Sequence, residues 1–165
     1  MNVNAQRKRR PPRTMAWALG LATAIAAAAG AAASDLEPLT GTHAAWTEEC
    51  GSCHLPYPPQ LLPARSWHAI MNGLDRHFGT DAGVDAGTAA SIRAFLIANA
   101  GRERSGRAEA PLLRITETPW FRHEHSGAVA AAWSRGQVKS PADCAACHRR
   151  ADTGDFGKRS RRLPS

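Results

Sequence analysis

The sequence predicts an all-α fold of short helices joined by long loops, and three observations carry that prediction. Apolar residues recur at spacings of three and four in several stretches, and no stretch keeps the strict alternation of a strand. Eleven prolines and fourteen glycines punctuate the chain closely enough to keep each helix short. Aromatic residues make up only 6% of the 165 positions, so each half of the chain has little apolar bulk of its own with which to build a core.

Residues 1–33 read as an export signal rather than as part of any core. Arg7, Lys8, Arg9, Arg10 and Arg13 come first without an acid, and an Ala-rich run from Met15 to Ala29 follows. Small residues at Ala31 and Ala33 fit a cleavage site, placing the cut after Ala33. The alternative is an uncleaved anchor, although residues 15–33 fall just short of the about 20 needed to span a bilayer and alanine is only weakly apolar. Removing the five leader cations reduces a formal charge of +7 to 16 Lys+Arg against 14 Asp+Glu. Nucleic-acid binding is excluded on that ground, because no basic stripe interleaved with aromatics remains. The basic run Lys158-Arg159-Ser160-Arg161-Arg162 reads as a solvated end.

Beyond the leader, residues 42–50 read as a short helix, and Pro56, Pro58 and Pro59 force an extended stretch after it. Leu61 to Phe78 is the strongest helical pattern. Ser66 is its expected N-cap, Trp67, Ile70, Met71, Leu74 and Phe78 recur at three and four, and Gly79 stops it. A third helix is expected from about Asp85, with Ile92, Phe95, Leu96 and Asn99 on one side and Gly101 at its end. Residues 101–110 are polar and aperiodic, the pattern of a linker. Thr118-Pro119 then pairs a cap with a first-turn proline and opens a short helix through Trp120, Phe121 and His125. Ser140-Pro141 repeats the device just before Cys144.

All four cysteines follow the leader, in two Cys-x-x-Cys pairs. An even count in an exported chain is ordinarily read as disulfides, and Cys-x-x-Cys also forms half of many zinc sites. The next residue separates these readings: His54 follows Cys50 and Cys53, and His148 follows Cys144 and Cys147. With 7 His in 165 residues, chance would place one after a given pair roughly 4% of the time and after both about 0.2%. Cys-x-x-Cys-His is the attachment motif of haem c. Two thiols one helical turn apart reach the two vinyl groups along one porphyrin edge, and the adjacent imidazole lies over the iron. Two covalent haem c groups are therefore expected, one in residues 34–103 and one in residues 104–165. At this size an apolar core alone seldom suffices, and covalent haem would be the staple.

His54 and His148 supply the proximal bonds, which leaves His43, His68, His77, His123, His125 and Met71 for the distal faces. On a helix running to Phe78, His77 falls about 20° from Ile70 on the apolar side and His68 about 160° away from it. Met71 shares the apolar side, where packing is its default role. Periodicity barely separates His125, four after Phe121, from His123, three after Trp120. His43, just before a helix, reads as a cap or an exposed residue. His77 follows His54 by 23 residues and His125 precedes His148 by 23, which favours pairing within each half over a crossed arrangement.

The segments Glu49–Trp67, Leu74–Asp81, Ile115–His125, Val138–His148 and Gly154-Asp155-Phe156 together resemble the bacterial dihaem cytochromes c with bis-histidine ligation. The resemblance implies His77 and His125 as distal ligands, and neither His68 nor His123. It also implies a periplasmic electron carrier working between a membrane-bound cytochrome or quinol-oxidising donor and a soluble acceptor, in some members a small high-spin oxygen-binding haem protein. Two strong ligands on each iron leave no open position, so outer-sphere electron transfer is the expected function rather than catalysis. The alternatives are a peroxidase or reductase, or a haem-based sensor, and each requires a displaceable distal ligand.

Overall fold

A computed structural model describes residues 41–103, 110–157 and 159–163. The leader at 1–33 and most of the linker lie outside the described residues. Among the described residues five α-helices appear in order, α1 (Ala44–Gly51), α2 (Ala64–Met71), α3 (Ala86–Ala98), α4 (Pro119–Glu124) and α5 (Ala128–Ser134), with a 3₁₀ turn before each of α2, α3 and α4 and two more after α5. Among the described residues backbone pairing outside helices is limited to isolated bridges. The fold is all α, as expected.

The helix expected over 61–78 is shorter than its periodicity suggested. Pro63, not Ser66, stands at the N-cap of α2, and its carbonyl accepts from Ser66 and Trp67. Ser66 is fully buried inside the first turn. Asn72 closes the helix and Gly73 follows, a pair of poor helix formers that apolar spacing alone overlooks. Leu74–Arg76 then form one 3₁₀ turn that ends at His77. His77, Phe78, Gly79 and Thr80 make a tight reversal in which Phe78 (φ 51°) and Gly79 (φ 101°) both adopt the left-handed conformation and the Thr80 N–H donates to the His77 carbonyl at 3.0 Å. An aromatic residue at positive φ is strained. Its ring is held in place by Arg114, whose guanidinium lies 4.2 Å from the ring centre, and by an edge contact with His77 at 4.8 Å.

α3 begins as expected, with Asp85 accepting from the N–H groups of Gly87 and Thr88. It ends at Ala98 with Asn99 as C-cap, so Gly101 is not its terminator. Gly101 instead donates to the Leu62 carbonyl at 2.9 Å, and its missing side chain is what lets the Gln60 carbonyl approach its backbone. α2 packs on α3, and α1 lies against α3. The core they enclose consists of Trp46, Leu62, Trp67, Met71, Ile92, Phe95 and Leu96, all from the first half. Trp67 is held there by its indole N–H, which donates to the Pro59 carbonyl at 2.7 Å.

In the second half Thr118 caps α4 as expected, its hydroxyl accepting from the Phe121 N–H. Ser140-Pro141 does not repeat the device: Ser140 Oγ accepts from Ala142 in a turn, and Asp143 caps the 3₁₀ turn Cys144–Ala146. α5 was not anticipated. Its Ala-rich stretch carries only Val129 and Trp133 as bulky apolar signals, too few to set a period. Residues 159–163 return over the second Cys-x-x-Cys-His loop, where the Arg162 N–H meets the Cys147 carbonyl at 2.9 Å and the Arg149 N–H meets the Ser160 carbonyl at 3.4 Å.

Candidate haem sites

The first site lies on the edge of the core. α1 carries Cys50 into its last turn, and the chain leaves it through Cys53 and His54. His43 caps α1, its Nδ1 accepting from the Trp46 N–H while its Nε2 hydrogen-bonds Ser91, so both ring nitrogens are engaged. Met71 is buried in the core, and His68 is exposed. His77 arrives from the strained reversal instead of from a helical face, so the wheel that favoured it does not describe its surroundings. The residue nevertheless meets its expected counterpart. The rings of His54 and His77 lie 6.2 Å apart, centre to centre, with 25° between their planes.

The second site is an apolar cavity walled by Leu61, Trp120, Phe121, Val129, Trp133 and Phe156, with Cys144, Cys147, His125 and His148 opening into it. Here α4 and α5 act together. Phe121 stacks on His125 at 3.9 Å, and Trp133 lies parallel to both rings at 5.8 and 5.9 Å. The rings of His125 and His148 are again 6.2 Å apart, at 65°. His123 is exposed.

That common spacing suits a metal held between two imidazoles. First-row metals bind imidazole nitrogen at about 2.0–2.1 Å, and the ring centre lies about 1.1 Å further out, so two imidazoles on opposite sides of one metal have centres about 6.3 Å apart. The ring nitrogens agree with this. His54 Nδ1 donates to the Leu55 carbonyl at 2.7 Å and His125 Nδ1 to the Phe121 carbonyl at 3.0 Å, which puts the proton on Nδ1 and leaves Nε2 with its lone pair free. His148 has a buried Nδ1 for which no described residue offers a partner. Burial lowers the pKa of His77, His125 and His148, so all three favour the neutral, ligating form. None of the four cysteines is in a disulfide; burial pushes the thiols of Cys50 and Cys144 up to about 11, with Glu49 and Asp143 adding to the shift. Paired imidazoles beside paired thiols, one pair set in an apolar cavity, fit two haem groups.

Both sites lie within one compact unit. Tyr57 stacks on His54 at 4.8 Å and donates its hydroxyl to the Ala142 carbonyl at 2.8 Å. Burial, and then the neighbouring Cys144 and Asp143, raise the Tyr57 pKa, so it remains a phenol. Sequence reasoning gave no role to Tyr57 or Trp133, and it read Arg161, which lines the second cavity, as part of a solvated end. Only Tyr57, set between Pro56 and Pro58 and just after the first motif, carried a local signal of a fixed position.

An all-α chain whose two Cys-x-x-Cys-His loops each lie beside a facing histidine pair has the architecture of a small multihaem electron-transfer protein. The comparisons with known proteins agree with it. Residues 46–156 match the family described as dihaem cytochrome c. A solved structure of a dihaem cytochrome c from Rhodobacter sphaeroides is 40% identical, with a TM-score of 0.63 over 71% of this chain and 98% of that one. A dihaem cytochrome c from Shewanella baltica is 33% identical, with a TM-score of 0.63 over 74% of this chain and 93% of that one. A search of curated proteins returned no match. The chain belongs to the dihaem cytochrome c family, and it carries two covalently bound haem c groups in an electron-transfer role.

Proposed function

We propose that this chain is an exported electron carrier in which His54 and His77 ligate the haem attached at Cys50 and Cys53, and His148 and His125 ligate the haem attached at Cys144 and Cys147. The observation that carries this reading is the 6.2 Å spacing in both histidine pairs. When bound, each haem iron supplies a reversible one-electron couple. The protein's part is to hold four imidazoles still. The Leu55 and Phe121 carbonyls fix the tautomers of His54 and His125, and hydrogen bonding of that kind also makes a ligating imidazole more basic. The Phe121–Trp133 stack keeps His125 from rotating away. With His54, His77, His125 and His148 holding the two haems, electron transfer would need no ligand exchange, and the potentials would lie below those of a His/Met centre.

The leader at 1–33 supports export to the periplasm, and no helix among the described residues is long and apolar enough to cross a membrane. The resemblance to bacterial bis-histidine carriers supports a membrane-linked cytochrome as donor and a soluble haem protein, of the small high-spin oxygen-binding kind, as acceptor. Absorption and EPR spectra of the haem-loaded protein, with carbon monoxide added after reduction, test the core of the reading. Two low-spin centres and no carbon monoxide shift are expected. A high-spin fraction that binds carbon monoxide would point to an enzyme or sensor with one displaceable ligand.

A further inference from the structure

We propose that Tyr57 couples the two haem sites, serving as the positioning residue through which the first histidine pair and the second attachment loop share one frame and exchange electrons. This rests on the ligand assignment given above. Tyr57 is the chain's single tyrosine and comes three residues after His54. Its ring lies on the His54 imidazole, 4.8 Å between centres and 21° between planes. Its hydroxyl reaches across 85 positions of sequence to the carbonyl of Ala142. That same carbonyl accepts from the backbone N–H of Cys144 at 3.0 Å, so the tyrosine hydroxyl and the attachment cysteine meet on one acceptor.

Packing alone does not account for the hydroxyl. A phenylalanine would cover His54 and the edge of the first core equally well, whereas only a donor can tie down Ala142. Pro56 and Pro58 on either side restrict the backbone, so the ring is a stiff arm and not a swinging one. One continuous route between the sites is a ring contact, the tyrosine, a hydrogen bond and the backbone leading to Cys144. In the exchange itself one electron leaves the ferrous iron of one site and reduces the ferric iron of the other. No bond forms or breaks, and Tyr57 keeps its proton.

The haem-loaded variants Tyr57→Phe and Tyr57→Leu provide the test. In Y57F the stack on His54 survives and the bond to Ala142 is lost. In a half-reduced sample, electron exchange between the two haems, read from NMR exchange cross-peaks, is expected to slow at least threefold, and the shifted resonances of the haem at Cys144 to move, while the low-spin EPR signals persist. In Y57L the resonances of the haem at Cys50 move as well. Wild-type exchange and unmoved resonances at the second haem in Y57F would overturn the proposal. If the variants fail to load haem, the Tyr57 ring resonances of the wild-type protein are followed through stepwise reduction: a shift at both steps supports coupling, and a shift at one step only overturns it. Failure of the ligand assignment is seen separately, as high-spin iron in the wild-type spectrum before any variant is made.

Discussion

At the scale of single residues, the two histidine pairs share a spacing and differ in orientation. Imidazole planes 25° apart split the two iron orbitals of π symmetry more strongly than planes 65° apart. Frozen oxidised protein should therefore give two distinguishable low-spin EPR signals, one rhombic and one dominated by a single large g value; two identical rhombic signals would contradict the geometry. Replacing His77 by Ala, or His125 by Ala, should open one iron only. Carbon monoxide should then bind to half of the reduced haem in each single variant and to all of it in the double, while H123A should bind none. The attachment residues were legible because their chemistry demands five neighbours in a row. His77 was reached by a helical wheel on a helix that stops at Met71, so periodicity did not place it; the turn at Phe78 and Gly79 did. The clamp on His125 was illegible because Trp133 belongs to another helix, and a stack across elements leaves no trace in local spacing.

At the scale of elements, caps and close approaches account for most boundaries. Hydrogen bonds from Thr88 and Gly87 hold the Asp85 carboxyl below its usual range. A depressed carboxylate contributes stability that is complete above its unfolded value of about 3.9 and is lost as pH falls through the folded value. Asp85→Ala should lower the melting temperature by a few degrees at pH 6, and the gap to wild type should narrow steadily below pH 4; a gap independent of pH would mean that the cap charge plays no part. Gly101→Ala should cost about 1–3 kcal/mol or more in denaturant titrations, since the new carbon meets the backbone of Gln60 rather than a side chain that can turn aside. From sequence Gly101 looked like a helix terminator, because close approach of two backbones distant in sequence cannot be read from neighbours. The break at Asn72-Gly73 is visible in helix propensity, which apolar spacing overlooks.

At the scale of the whole molecule, the two halves are built unequally. Seven buried residues from α1, α2, α3 and the loop before α2 form a core to which the second half adds only the packing of Ile115, whereas the second half arranges its aromatic side chains around a cavity. Loss of the second attachment, as in Cys144→Ala with Cys147→Ala, should therefore expose residues 110–163 to limited proteolysis and leave 44–98 resistant. Loss of the first attachment should leave more helical circular dichroism than loss of both. Equal sensitivity of the two halves would show that the first core depends on its haem as fully as the second. The strap formed by residues 159–163 adds a matter of timing. It grips Arg149 and the Cys147 carbonyl from a position downstream of the loop it closes, so a chain emerging from its N-terminus can complete the first core while the second loop still lies open. Folding in that order would close the first site before the strap locks the second loop.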